Sequence, residues 1–423
     1  MKTDEYTRDV VLQICEASSL TDATVLFHLH RDLLKGYKFI FPSETGTQTG
    51  YSANKEFSNG AAIISLFDSD RVWVLDNNTI NEMYENGASH FPIDYSISLD
   101  TMSLSYLEPY INGRLSALPS DFKEVFDFIS DENVNVDPML YQIENSENLS
   151  SDYNLTRIYK KIKAYEFLRN FNSTLYLKEG IISSTVSEQE LEIRAQKSIS
   201  KLLHSNTGKN NLSENNVLFN IVSSFLFKMI LIQHIMEKES LENKLLELLH
   251  FSHYDMKTFC FRELLIAKRY FEEGDRFPFF NKIKINGRNL LTVANGMAWD
   301  LFHIRYLEKV LAVNGENKAR YFFPAILTFD KRFIDLLKMN SLKSIAINND
   351  LNEIQPLYKL DFYQEYSTVS NLLKDTLHYY FSDEMRKERM LICENNKLYH
   401  INAKNKMAQL RCEFMKVFSI KTD

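Results

Sequence analysis

The stretch "AILTFDKRF", residues 325–333, sets an apolar run against a charge. Ala325–Phe329 has the length and composition of a strand, yet it ends on the carboxylate of Asp330, with Lys331 and Arg332 immediately after. A strand this uniformly apolar reads as one buried on both faces, as in a parallel sheet flanked by helices. Asp330 then stands at its carboxyl end, the edge where parallel α/β sheets bind ligands. An aspartate just before a helix is also a natural N-cap, and 331–339 reads as a helix, followed by a short strand in "SIAIN", 344–348.

Three more acids occupy unexpected places. In "IDYSISLDT" the residues Tyr95, Ile97, Leu99 and Thr101 alternate with Ser96, Ser98 and Asp100, which is strand period. Asp100 therefore ends a second apolar strand. In "NVNVDPMLYQIEN", Val134 and Val136 read as a short strand, Asp137 as an N-cap and Pro138 as the first helical residue, so Glu144 falls on a helix. In "VANGMAWDLFHIRYLEKVL", positions 293, 297, 300, 304, 307 and 311 share one helical face. Five are Val293, Met297, Ile304, Leu307 and Leu311; the sixth is Asp300. A lone carboxylate in an apolar stripe costs several kcal/mol, roughly, unless it is paired or binds a cation.

Each acid has an ordinary explanation: a buried salt bridge for Asp300, helix caps for Asp100 and Asp330, a surface position for Glu144. As a set they would repel one another unless a cation sat among them. Oxygen-only ligands favour Mg²⁺ or Mn²⁺ over Zn²⁺, and such ions activate water for phosphodiester cleavage. Lys331 and Arg332 would then stand near enough to meet a phosphate, with His303 as a further substrate contact or a plain interior histidine.

The ordered set "SISLDT" (Asp100), "DPMLYQIEN" (Glu144), "MAWDLFHIRYL" (Asp300) and "AILTFDKRFIDLL" (Asp330) resembles the PIN-domain nucleases over about 96–150 and 290–350. The resemblance implies an α/β fold, a parallel-sheet core interrupted by a large all-α insertion. It also implies a divalent-metal endonuclease acting on RNA or single-stranded nucleic acid, with Asp100, Glu144, Asp300 and Asp330 as catalytic and metal-binding residues. The gap between Glu144 and Asp300 is long for the family, and Asp76 in "VWVLDNN" is a second candidate for the first acid. Large decorated nucleases of this sort resemble toxin or phage-defence effectors, which implies a regulatory protein partner or a homo-oligomer. The rival expectation is a non-catalytic, α-rich interaction protein with a degenerate core of this kind.

The organisation expected along the chain is an N-terminal α/β extension, 1–95, with 42–60 as a loop; the core in 96–150 and 290–350; a helical insertion, 151–289; and a mainly helical extension, 351–423, with a hairpin turning at Asn395-Asn396. Net charge is −7, from 49 basic and 56 acidic residues. No bulk positive excess exists to neutralise phosphates, although a local basic groove would suffice. The four cysteines, Cys15, Cys260, Cys393 and Cys412, form no C-x-x-C pair. Neither a disulfide framework nor a zinc ribbon is expected, and a reducing cytoplasm is the simplest location.

The apolar run 217–236 carries Lys228 and Gln233 and reads as a core helix rather than a membrane span. His28 and His30 lie on a helix, where i and i+2 diverge, so H-x-H there is a poor metal pair. Lys160, Lys161, Lys163 and Arg169 could hold an RNA backbone or form a solvated face. Arg262, Glu263, Lys268 and Arg269 read as internal ion pairs. With 12 glycines and no phosphate-loop or nucleophile-elbow motif, nucleotide-driven and serine-hydrolase chemistry are poorly supported.

Overall fold

The structure is a computed structural model that describes residues 5–146, 152–207, 211–284, 287, 289–311, 313–314, 319–351, 353–393 and 396–419. The chain divides into two compact units, 1–207 with 307–359, and 208–306 with 360–423. The strands are β1 (Tyr37–Gln48), β2 (Lys55–Glu56), β3 (Ala62–Ser65), β4 (Arg71–Leu75), β5 (Ile93–Leu99), β6 (Asn135–Asp137), β7 (Val313–Asn314), β8 (Tyr321–Thr328), β9 (Leu342–Asn348) and β10 (Glu353–Tyr358). The helices of the first unit are α1 (Glu5–Glu16), α2 (Leu20–Leu29), α3 (Asn77–Asn86), α4 (Thr101–Ile111), α5 (Phe122–Ile129), α6 (Met139–Asn145), α7 (Asp152–Arg169), α8 (Ser173–Glu179) and α9 (Glu188–Thr207). The second unit begins with α10 (Asn211–Ile235), α11 (Leu241–His250), α12 (Phe261–Glu273) and most of α13 (Leu290–Lys309). Helix α14 (Lys331–Met339) returns to the first unit. The second then ends with α15 (Phe362–Ser367), α16 (Asn371–Tyr380), α17 (Asp383–Cys393) and α18 (Asn396–Val417).

The first unit holds two sheets. One is antiparallel, in the order β10-β9-β1-β4. Its alternating residues Tyr37, Phe39 and Phe41 pack into a cluster with Val10, Ile14 and Phe27 from α1 and α2. The other runs β2-β3-β8-β5-β6, with β6, β5 and β8 parallel and β3 antiparallel to β8. This sheet is therefore mixed. Its interior strand β5 buries Tyr95, Ile97 and Leu99 completely, and the central strand β8 buries Ala325, Ile326 and Leu327.

Two expectations give way to longer regular structure. The polar stretch 42–60 is not all loop: β1 continues to Gln48 and β2 occupies Lys55–Glu56. The strand stays paired by skipping register against Val72 between Pro42 and Thr47. Gly46 permits the crossing, because a Cβ there would stand 2.5 Å from the Val72 carbonyl oxygen. The expected hairpin about Asn395-Asn396 is replaced by helix on both sides, α17 and α18; Glu394 and Asn395 lie outside the described residues. The segment is rich in Arg, Lys, Glu, Leu and Met, strong helix formers, and nothing pairs with it as a strand. The polar break at 204–216 falls partly outside the described residues.

Helices α7 and α9 pack on each other, and α7 packs on α4, so part of the expected insertion belongs with the sheets of the first unit. In the second unit α10 is long and apolar enough to cross a membrane by length and composition, but 61% of that window is already buried. It packs along α18, with Phe227 and Phe414 ring centroids 4.7 Å apart. Lys228 on α10 reaches Glu247 of α11 at 2.6 Å. Glu263 on α12 is fully buried and takes a two-armed hydrogen bond from Arg305; Lys268 pairs with Glu272 and Glu365, and Arg269 with Glu273. These are the internal ion pairs the sequence suggests. Replacing Arg305 by Met should strand the Glu263 charge and destabilise the second unit by about 3 kcal/mol, read as a lower denaturant midpoint.

Candidate active site

Strands β5 and β8 run parallel with Leu99 opposite Leu327. That register brings the next residues, Asp100 and the Thr328–Asp330 turn, to the same carboxyl edge. The Asp100 amide donates to the Leu327 carbonyl at 3.4 Å, and the Ser103 hydroxyl donates to it at 2.8 Å. From β5 the chain goes through α4 and α5 to β6 on one side, whereas β8 lies on the other. The connection out of β5 thus ends on β6 in the same sheet, whereas the next elements after β8 are a helix and then β9 of the other sheet.

Both aspartates also cap helices. The Asp100 carboxylate accepts the Ser103 amide at 2.6 Å at the start of α4. Asp330 accepts the amides of Arg332 and Phe333 at 2.9 and 3.4 Å at the start of α14. Capping and membership of the acid edge are therefore not alternatives here; each side chain does both. Glu144 sits near the end of α6, which packs on β5 and α4, and accepts the Thr101 hydroxyl at 2.6 Å.

The three acids feel one another. Burial pushes the Asp100 carboxyl above the usual aspartate range; hydrogen bonds from Ser103 and Thr328 oppose the rise, and the Asp330 charge adds to it. Burial also raises Glu144, with Thr101 opposing, Asp100 adding, and Lys161 and Arg157 pulling it back. Asp100 thus couples to both other acids, one through each strand-to-helix junction.

The cations beside Glu144 come from α7. At four-residue steps along one face, Arg169 donates to the Val134 carbonyl at 3.2 Å, Tyr165 donates to the Val136 carbonyl at 2.9 Å, and Lys161 lies 4.9 Å over the Tyr141 ring. Arg157 continues the row. Burial lowers the Lys161 ammonium, Arg157 lowers it further, and Glu144 and Asp100 oppose. Lys163 faces away, between Glu188 and Glu192, and Lys160 is exposed. The sequence showed a basic helix without showing which of its cations turns inward.

The remaining candidates are placed differently. Asp300 belongs to the second unit, where Lys282 stands 3.5 Å from its carboxylate. His303 is an interior residue of the same unit, 3% exposed, and burial drives it down to about 3. Asp76 caps α3 in a capping box and accepts the Tyr321 hydroxyl at 2.5 Å, a structural role. His28 lies on α2 and His30 caps its end.

Lys331 and Arg332 are exposed beside Asp330. Lys331 lies across Gly60, which has φ +95°, so closely that a Cβ would meet its stem. The turn around Gly60 is held by Asp121, whose buried carboxylate accepts the amides of Asn59 and Ala61 at 3.2 and 3.0 Å. Asp121 carries no local signal of this role, since its partners lie about sixty residues upstream.

A cavity of about 670 Å³ opens at the opposite edge, where Ile93 and Val134 begin or precede their strands. Its acids are committed locally. Asp94 accepts from Tyr51 and Asn135, and Asp127 from Tyr176 and Lys123. It does not overlap the acid edge.

Among the described residues no group of three or more His, Cys, Asp and Glu side chains is arranged to hold a metal ion. Mg²⁺, however, keeps several waters and is usually held by one or two carboxylates plus substrate phosphates. The donors fit that chemistry: oxygen only, with Asp100 and Glu144 raised chiefly by burial and further by a neighbouring acid's charge. No protein-family model, curated protein or solved structure matches this chain. The class defined by the residues themselves is an α/β unit with carboxylates gathered at the carboxyl edge of two parallel strands.

A raised carboxyl binds its proton more tightly folded than unfolded. Its stabilising contribution is complete below the unfolded value and is lost as pH rises through the folded one. Asp100→Asn removes the charge and keeps the cap, since Asn caps as well as Asp. The variant should therefore melt higher than wild type without divalent ions. The difference should grow from about pH 4 upward and level off above the raised value, at about 1.4 kcal/mol per unit of displacement. Mn²⁺ should raise the wild-type melting temperature and leave the variant's nearly unchanged.

Proposed function

We propose that this protein is a divalent-metal-dependent nuclease that hydrolyses RNA or another single-stranded nucleic acid. The observation that carries the reading is the gathering of Asp100, Glu144 and Asp330 at one sheet edge, from segments up to 230 positions apart, with the Asp100 and Glu144 carboxyls both displaced upward. A fold gains nothing in stability by collecting repelling acids; a site that receives a cation does. An ion there would supply charge stabilisation and an activated water.

The chain's own residues have distinct tasks in this reading. Asp100 and Asp330 are fixed by their helix caps, so their carboxylates need little reorganisation when a cation arrives. Glu144, turned by Thr101, faces Asp100 and orients the attacking water or holds a second ion. Lys331, propped on Gly60, meets the phosphate backbone. Asp300, expected as a further ligand, lies in the second unit with Lys282 3.5 Å from its carboxylate, and the three acids of the first unit carry this reading. A PIN-like core remains the fold relationship we favour, and a toxin or defence role with a regulatory partner follows only from that likeness.

The second reading, a non-catalytic interaction protein, draws on the Lys161 and Arg157 cations, which partly balance Glu144 without any metal. The two separate in one assay. Labelled RNA and DNA are incubated with Mn²⁺ and wild type, Asp100→Asn or Asp330→Asn. Wild type should cut, and each variant should lose at least about 100-fold, the scale set by removing one group that stabilises developing charge. Cutting that is equal in all three proteins, or absent in wild type, sinks the nuclease reading.

A further inference from the structure

The row on α7 is a ruler. Arg169 and Tyr165 are tied to the main chain just before β6 and within it, at Val134 and Val136. Two bonds one helical turn apart fix both the rotation and the height of α7 against the strand, because residues four apart share a face. The next two positions of that face, Lys161 and Arg157, are carried past the carboxyl end of β6 to the acid edge. There Lys161 rests its stem on Tyr141 and lies in the fields of Glu144 and Asp100.

Cations of this helix have two fates. Lys163 is committed to Glu188 and Glu192. Neither Lys161 nor Arg157 closes an ion pair with a carboxylate among the described residues. Arg157 is exposed and Lys161 half-buried, so a ligand can reach both. A nucleic acid approaching three carboxylates in a chain of net charge −7 needs local positive charge at the point of contact.

We propose that Lys161 and Arg157 form the phosphate-binding pair of this site, gripping a nucleic-acid phosphate held against the Asp100–Glu144–Asp330 edge. The inference rests on the nuclease reading for its substrate class and adds the residues that hold that substrate. Arg157 presents a planar fork suited to two phosphate oxygens, and Lys161 a compact point charge. On the other flank, Lys331 would meet the neighbouring phosphate, so the strand would lie across the edge between α7 and α14.

The test is binding of a labelled single-stranded RNA oligonucleotide by fluorescence anisotropy, across a salt series, with Ca²⁺ in place of Mn²⁺. Lys161→Gln and Arg157→Gln should each weaken binding about fivefold and lower the slope of log affinity against log salt by about one. Lys160→Gln, on the exposed side of the same helix, should match wild type within about twofold. Lys161→Arg should recover most of the loss. A purely structural counter-ion for Glu144 would leave the salt slope unchanged. Wild-type affinity and slope in both glutamine variants overturns the proposal; if Lys161→Gln does not fold, the exposed Arg157→Gln decides. Binding that depends on Lys161 without any cleavage by wild type removes the nuclease reading and keeps the phosphate site. Cleavage by wild type with unchanged KM and slope in the variants does the reverse, and an RNA that does not bind wild type ends both.

Discussion

The parallel pairing of β5 with β8 is the constraint on which the rest of the first unit depends. Seven residue pairs, from Ile93 with Tyr321 to Leu99 with Leu327, set one register. Because side chains alternate faces along a strand, a slip of one residue would turn Tyr95, Ile97 and Leu99 out of the core. The same slip would separate Asp100 from Asp330. Burial of the strands and alignment of the acids are thus specified together, and selection for one maintains the other.

Helix capping is the second device. A carboxylate at a helix start gains from the unpaired amides of the first turn, and Asp100 and Asp330 both use this. The gain offsets part of the repulsion between them. It also fixes each side chain where the strand delivers it, so the acid edge is built from ordinary junctions rather than from a strained backbone. Glu144 lacks a cap and takes its orientation from Thr101 instead, the residue that begins the helix Asp100 caps.

Much of this was legible in the sequence, for identifiable reasons. Ala325–Phe329 and the 95–99 alternation are interior strands whose composition leaves few alternatives, and acids at their ends stand out against it. Contacts that depend on distant segments were not legible. Helical period put Asp300 on an apolar face, but nothing in that period says that Lys282, eighteen positions upstream, stands beside it. Ser, Thr, Gly and Asn in 42–60 read as loop, whereas pairing with β4 overrode the local preference. The row Arg157, Lys161, Tyr165, Arg169 was present as a pattern; which way it faced required knowing that two of its members reach the β6 carbonyls. Asp121 was silent because its role is written in a turn sixty residues away.

The hydroxyl of Ser103 finds its acceptor on Leu327, 224 positions later. The meeting of Asp100 with Asp330 spans a like interval. A ribosome must therefore add more than two hundred residues after Ser103 before the two partners can meet, and loop closure over so long a span is slow. A nascent or prematurely terminated chain carries Asp100 and Glu144 without Asp330, so the edge stays incomplete until β8 and the turn after it have been made. Connectivity alone sets the order in which its acids come together.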